Sequence, residues 1–91
     1  MIIKLELFGM SREFSKDEFL HFEFDNEITV KELRIKLEKM IKNEFPKNAN
    51  YLEVVKKSAF SSEDNEIVED SYKLNKDQKL AIIPPIGGGS V

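Results

Sequence analysis

The chain has no cysteine and only one histidine, His21, among its 91 residues. The lack of cysteine excludes a disulfide framework, a thiolate metal site and a thiol nucleophile. A single histidine makes a structural zinc site or a Ser-His-Asp triad hard to assemble. We therefore expect neither a metal centre nor an enzyme that carries its own nucleophile and base.

Long hydrophobic runs and a net positive charge are also missing. No apolar segment reaches membrane length, and the opening residues MIIKLELF lack the basic start and cleavage site of a signal peptide. A net charge of −3 gives no electrostatic reason to expect nucleic acid or an anionic membrane as a partner. The sequence predicts one small cytoplasmic domain whose partners offer basic surfaces.

Glycine is scarce, and three of the chain's four glycines stand together near its end. They follow an apolar β-type run, Leu80 to Ile83, that stops at Pro84 and Pro85. Because proline cannot continue a β ladder, we predict a folded domain over 1–86 and a flexible glycine-rich tail over 87–91. A tail without side chains can enter a narrow channel in another protein, where its carboxylate can be modified. This ending predicts a substrate and carrier.

The first half of the chain shows two clear periodicities. Apolar residues alternate with polar ones over Ile2 to Phe8 and again over Leu20 to Phe24, which predicts an antiparallel hairpin with a long polar connection. The spacing becomes helical from Thr29 to about Phe45. Thr29 and Glu32 form a capping-box pattern at the start of this helix.

The second half carries weaker signals. Residues 47–58 suit either a short helix capped by Asn48 or a strand, and the helix is the favoured interpretation. Short strands are predicted over Ala59 to Ser62 and Ile67 to Val68, with Leu74 as a plug in the following loop. The apolar run before the prolines suits a central strand. This order predicts an α+β β-grasp fold, in which a mixed four- to five-stranded sheet is crossed by one main helix.

The ending IIPPIGGG resembles that of the small, sulfur-carrying subunit of molybdopterin synthase, the MoaD type of the MoaD/ThiS ubiquitin-like family. In that pattern an apolar strand meets two prolines, two further residues and a diglycine. Pro84 and Pro85 match the prolines, Ile86 and Gly87 the spacer, and Gly88 with Gly89 the diglycine. The segment LFGMSRE, which ends the first strand, is similar to the family's exit into an Arg-Glu pair.

The sequence departs from this family pattern in two places. It reads NKDQ before the final strand, where the family usually has an Asp-Gly-Asp type of turn. Ser90 and Val91 also follow the diglycine, so a peptide bond blocks the carboxylate of Gly89. Either these two residues are removed, or they are foreign to the natural protein, or this chain is not charged with sulfur. A Gly-Ser ending is also typical of ordinary flexible linkers.

The resemblance implies a carrier that binds no cofactor and has no catalytic residues of its own. An E1-like adenylating enzyme would use ATP to activate Gly89, and a sulfur donor would displace AMP to leave a thiocarboxylate. Gly88 and Gly89 allow the extended passage and open carbonyl that these steps need. The large subunit of molybdopterin synthase would then receive the sulfur, in a heterotetramer.

A folded surface is needed to hold the base of such a tail. By resemblance Arg12 takes the family's Arg-Glu position, and Phe8 is expected to point away from the core beside the strand that ends at Ile83. The sequence therefore predicts an exposed docking surface composed of Phe8, Arg12, Ile83, Pro84, Pro85, Ile86 and Gly87.

Alternative interpretations remain for the pathway and for two other features. Carriers for thiamin, cysteine or tRNA thiolation, and ubiquitin-like modifiers joined to lysines, share the activation step. His21 is expected to be an exposed surface residue. The acidic residues between Glu63 and Asp70 are expected to form a solvated turn, since their spacing fits no calcium loop.

Overall fold

The computed structural model describes residues 1–85, so Ile86 and the predicted tail over 87–91 lie outside the described part. This part of the chain contains seven strands and two α-helices, and a 3-10 helix over Gly9–Phe14 follows the first strand. The elements are β1 Ile2–Leu7, β2 Phe19–Glu23, β3 Ile28–Thr29, α1 Val30–Glu44, α2 Ala49–Lys57, β4 Ala59–Ser61, β5 Ile67–Val68, β6 Lys73–Leu74 and β7 Gln78–Ile83.

The main sheet has five strands in the order β2-β1-β7-β4-β5. β1 and β7 are parallel, with Leu5 opposite Leu80 and Leu7 opposite Ile82, and the other neighbours are antiparallel. Short strands β3 and β6 form a separate pair through Ile28 and Leu74. The predicted α+β β-grasp architecture with a mixed sheet is confirmed.

One face of the sheet is covered by α1. Its buried side chains, Val30, Leu33, Leu37 and Ile41, belong to the same core cluster as the inward residues of the central strands. Those inward residues are Ile3, Leu5, Leu7, Leu80 and Ile82, each at most 1% exposed. The alternation and helical spacing of the sequence therefore identify the two sides of one core.

The start of α1 has the predicted capping box. The Thr29 hydroxyl accepts a hydrogen bond from the backbone N–H of Glu32, and the Glu32 carboxylate accepts one from the backbone N–H of Thr29. Two otherwise unpaired donors of the first helical turn are thus satisfied. The helix ends at Glu44, and Pro46, two residues further on, cannot continue it.

Three local predictions need correction. The polar connection after β1 contains the 3-10 helix, because Ser11 and Phe14, three residues apart, can both point into the core. Leu74 is buried as predicted but pairs with Ile28 in a strand instead of a loop. Asn48 precedes α2, yet its side chain makes no capping hydrogen bond.

The unusual turn before β7 has a long-range partner. The Asp77 carboxylate accepts a hydrogen bond from the backbone N–H of Ile2 at 2.8 Å, which ties the start of β7 to the start of β1. No helix within residues 1–85 has the length and apolar character required to span a bilayer.

Candidate functional site

The parallel pairing of β1 and β7 brings two chain exits to the same end of the sheet. Because the strands run in the same direction, the residues after Leu7 and after Ile82 emerge side by side. Phe8 thus leaves β1 beside Ile83, the last residue of β7, and the two prolines follow. The base of the predicted tail lies at the middle of the sheet, since β7 is the third of five strands.

Large apolar side chains are exposed at this end. Phe8 is 42% exposed and Ile83 is 38% exposed, although both follow buried residues of their strands. Pro84 is partly buried and Pro85 is exposed. We call Phe8, Arg12, Ile83, Pro84 and Pro85 the tail-base surface. The predicted exposure of Phe8 and Ile83 is confirmed, whereas the predicted members Ile86 and Gly87 lie outside the described residues.

Arg12 is exposed on the 3-10 helix. This helix begins at Gly9. A β-carbon placed on Gly9 would be 3.7 Å from Cγ of Pro84, which shows that Gly9 abuts the first proline. Arg12 therefore adds a positive charge to the short helix whose first residue abuts the chain exit.

Glu13, the next residue, takes part in a different contact. Its carboxylate accepts a hydrogen bond from the Tyr51 hydroxyl at 3.0 Å, which links the 3-10 helix to α2. This hydrogen bond, together with desolvation and the carboxylate charge, raises the pKa of Tyr51 above its ordinary value of 10.0. Of the adjacent pair Arg12 and Glu13, only Arg12 belongs to the tail-base surface, because Glu13 contacts α2.

The face of the sheet opposite α1 carries charged side chains that contact one another or an aromatic ring. The Lys79 ammonium forms a salt bridge with the Glu6 carboxylate at 3.1 Å, and the Lys4 ammonium lies 4.1 Å from the centre of the Phe19 ring. His21 is exposed on this face, opposite Lys4 on the β2 side of the sheet. Since Lys4 in turn pairs with Lys79, His21 lies level with the start of β7 and away from the tail-base surface.

The remaining acidic residues do not assemble a metal site within residues 1–85. No group of three or more histidine, cysteine, aspartate or glutamate side chains in that part of the chain is placed to hold an ion. Asp70 instead forms a 2.9 Å salt bridge with Arg34. The residues predicted to undergo chemistry, Gly88 and Gly89, lie outside the described part of the chain.

A protein-family model described as the ThiS family matches residues 5–89, nearly the whole chain including the diglycine. The chain belongs to the ThiS family. Its ubiquitin-like β-grasp fold and its resemblance to MoaD-type sulfur carriers agree with this membership. No sequence among curated proteins matches the chain.

Three of the solved structures that are similar to this chain show the same fold. SAMP1 from Haloferax volcanii is 17% identical, with a TM-score of 0.68 over 98% of this chain and 100% of its own. A protein described as subunit 1 of molybdopterin converting factor from Pyrococcus furiosus is 13% identical, with a TM-score of 0.68 over 93% of this chain and 98% of its own.

A third structure is a complex of subunits 1 and 2 of molybdopterin-converting factor from Helicobacter pylori. The matched chain is 18% identical, with a TM-score of 0.56 over 98% of this chain and 100% of its own. At these identities the likeness demonstrates the shared fold.

Two contributors near the site of this ThiS-family chain were missed from the sequence. Ser11 is fully buried, and its hydroxyl forms hydrogen bonds with the backbone N–H and the carbonyl oxygen of Phe8. In the sequence, only the spacing of three residues between Phe8 and Ser11 indicates this role. Met10 is 46% exposed beside the tail-base surface. The helical register of this segment was needed to find either residue.

Arg34, on α1, contacts residues that position β4, and no pattern in the sequence indicates this role. Its guanidinium donates to the carbonyl oxygens of Val55 at 2.8 Å and Ser58 at 2.7 Å, and it lies over the ring of Phe60. These contacts fix β4 against α1. Because β4 pairs with β7, Arg34 helps to hold the strand from which the tail leaves.

The raised pKa of Tyr51 gives a testable pH dependence. In a Tyr72→Phe background, Glu13→Ala is expected to lower the pKa of Tyr51, because it removes the acceptor and the charge that favour the neutral phenol. The stabilisation from this contact is present below the unfolded pKa of about 10 and is lost as pH rises through the higher folded value. Ultraviolet titration of tyrosinate measures the change; identical titrations with and without Glu13 would contradict the assignment.

Proposed function

We propose that this chain is the sulfur carrier of molybdopterin biosynthesis. The observation that supports it is the placement of Pro84 and Pro85 at the exposed tail-base surface, with the diglycine of Gly88 and Gly89 following in the sequence. A carrier needs a rigid body for recognition and a narrow extension for chemistry, and this arrangement offers both. The sulfur would be carried as a thiocarboxylate on Gly89 and delivered to a pterin precursor.

The chemistry on Gly89 requires other enzymes. A carboxylate is a poor acyl donor, so it first attacks the α-phosphorus of ATP, releasing pyrophosphate and forming an acyl adenylate. Hydrosulfide supplied by the sulfur donor then attacks the acyl carbon and displaces AMP, which leaves the thiocarboxylate. An E1-like adenylating enzyme supplies the first step. The chain itself provides the acyl group, the diglycine passage and the recognition surface, in the cytoplasm.

The partner that consumes the thiocarboxylate is proposed to be the large subunit of molybdopterin synthase, in a heterotetramer. The structural relative from Helicobacter pylori is a complex between subunits 1 and 2 of a molybdopterin-converting factor, which supports a large-subunit partner here. Ordering a flexible tail costs conformational entropy, so the tail alone gives little affinity. The tail-base surface would supply the remaining binding energy.

The docking role predicts the effect of two substitutions. Arg12→Ala and Ile83→Ala are each expected to weaken binding of the large subunit by about 2 kcal/mol or more, as at other interface hot spots rich in arginine and apolar side chains. Both residues are exposed, so the fold should be largely retained. Calorimetric titration with the large subunit measures the loss.

Two other exposed residues provide matched controls for docking. Lys16→Ala removes a neighbouring positive charge, and Ile67→Ala truncates an isoleucine that is 66% exposed on the edge strand β5. Both controls should bind with unchanged affinity. Unchanged affinity in Arg12→Ala and Ile83→Ala as well would place the docking surface elsewhere.

The alternative functions differ in where the activated tail goes. The ThiS family name favours comparison with a thiamin carrier, and the likeness to SAMP1 makes a ubiquitin-like modifier a second comparison. Carriers for cysteine or tRNA thiolation share the same activation. The Pro-Pro pair favours the molybdopterin pathway, because thiamin carriers tend to lack it.

Reconstitution separates these pathways. The thiocarboxylated chain is mixed with the large subunit and the pterin precursor, and in parallel with the thiazole-forming enzyme of thiamin synthesis. Molybdopterin formation in the first mixture alone would support the proposal. Product only in the second mixture, or recovery of the chain joined to lysine side chains, would replace the proposal with the corresponding alternative.

A further inference from the structure

A fully buried serine fixes the exit of β1. The Ser11 hydroxyl donates to the carbonyl oxygen of Phe8 at 2.6 Å and accepts from the backbone N–H of Phe8 at 2.9 Å. The backbone N–H of Ser11 also donates to the same carbonyl at 3.1 Å. One side chain therefore satisfies both polar groups of Phe8 and holds the first turn of the 3-10 helix closed.

The same turn requires an unusual backbone conformation at Gly9. Its φ is +55°, in the left-handed region where side chains other than those of asparagine and aspartate are strained. This conformation places Gly9 against the ring of Pro84, whose Cγ and Cδ would lie 3.7 and 3.9 Å from an added β-carbon. The turn that Ser11 holds thus packs against Pro84, the first residue after β7.

We propose that Ser11 and Gly9 are positioning residues that set the direction in which the chain leaves β7 at Pro84. Proline has a fixed φ, so the orientation of the ring determines where the following residues begin. A displacement of about 1 Å in a bound reacting group can reduce a rate by about 100-fold. The inference rests on the proposed function, because it assigns a purpose to the direction of the tail.

This role differs from docking and from general support of the fold. Ser11 is buried and cannot contact a partner, whereas Arg12 and Ile83 are exposed. Loss of the Ser11 hydroxyl should therefore reduce the rate of transfer from a bound tail more than it weakens binding of the large subunit. A merely structural serine would affect stability without separating these two quantities.

The chain offers a matched control and a rescue. Ser62 is also buried, and its hydroxyl accepts backbone N–H groups of Asp64 and Glu66 in the distant turn between β4 and β5. Ser62→Ala thus removes the same kind of turn contact away from the tail. Gly9→Asn keeps a residue that tolerates positive φ, whereas Gly9→Ala does not.

The test combines nuclear magnetic resonance with single-turnover kinetics on the chain that ends at Gly89 and carries a thiocarboxylate there. Nuclear Overhauser contacts between the α-protons of residue 9 and the ring protons of Pro84 should be present in the parent, in Ser62→Ala and in Gly9→Asn. They should be lost in Ser11→Ala and Gly9→Ala. With saturating large subunit, where the rate does not depend on affinity, the last two should transfer sulfur about 10-fold more slowly or worse.

Retained Gly9–Pro84 contacts in Ser11→Ala, or an unchanged transfer rate after their loss, would overturn the positioning role. An equal loss of rate in Ser62→Ala would also overturn it, because general destabilisation would then explain the effect. Failure of the parent chain to transfer sulfur would refute the proposed function separately, since the resonance contacts and docking measurements report on Pro84 without sulfur chemistry.

Discussion

A chain that ends at Gly89 is expected to be adenylated by its activating enzyme, whereas a chain that ends at Val91 is expected to be inert. Adenylation needs a free carboxylate on the last glycine, and in the longer chain that carbonyl belongs to the peptide bond with Ser90. An amide carbonyl has no oxyanion to attack ATP, and the free carboxylate of the longer chain belongs to the branched residue Val91, which a narrow channel suited to glycine would not admit. The difference should therefore be nearly complete. ATP–pyrophosphate exchange with purified activating enzyme measures it directly.

A third form serves as the control for tail geometry. Gly89→Val in the chain that ends at residue 89 keeps the carboxylate but adds a branched side chain, which restricts the backbone and crowds the carbonyl. It should dock with the large subunit at parental affinity and fail in sulfur transfer. Equal exchange rates for the chains ending at Gly89 and Val91 would contradict the requirement for a free terminal glycine.

Replacing Leu37 by alanine is expected to destabilise the domain by about 2–5 kcal/mol. Leu37 and its neighbour Leu33 are fully buried between α1 and the sheet, so each truncation leaves a cavity that the surrounding strands cannot fill completely. Leu33→Ala should have a similar effect. Urea or thermal unfolding monitored by circular dichroism gives the change in the free energy of unfolding.

The same helix contains the control. Ile35 is 41% exposed, so Ile35→Ala removes an aliphatic side chain from the solvent side of α1 and should change stability by about 0.5 kcal/mol or less. A loss below about 0.5 kcal/mol for both Leu33→Ala and Leu37→Ala would mean that α1 does not cover the sheet as described.

The parts of the fold that could be predicted from the sequence depend on local patterns. Alternation located β1 and β2, and the capping box at Thr29 and Glu32 located the start of α1 within one residue. The β-grasp assignment then followed from the order of elements, and the parallel pairing of β1 with β7 confirms it. Exposure of Phe8 also followed from its position after an alternating strand, whereas Ile83 ends an apolar run and was placed at the surface as part of the docking surface.

Contacts between residues far apart in sequence could not be predicted in this way. Asp77 reaches the backbone of Ile2, and Arg34 reaches carbonyl groups at the end of α2, but neither contact has a signature in local spacing. Ser11 looks like an ordinary loop serine until the 3-10 helix directs it inward. Tertiary structure, and not propensity, assigns these side chains their roles.

The intact mass of the protein isolated from its native cells tests the central claim most directly. We expect a chain that ends at Gly89 with one carboxylate oxygen replaced by sulfur. A mass that retains Ser90 and Val91 without added sulfur, or a chain joined covalently to another protein, would contradict a sulfur-carrier role.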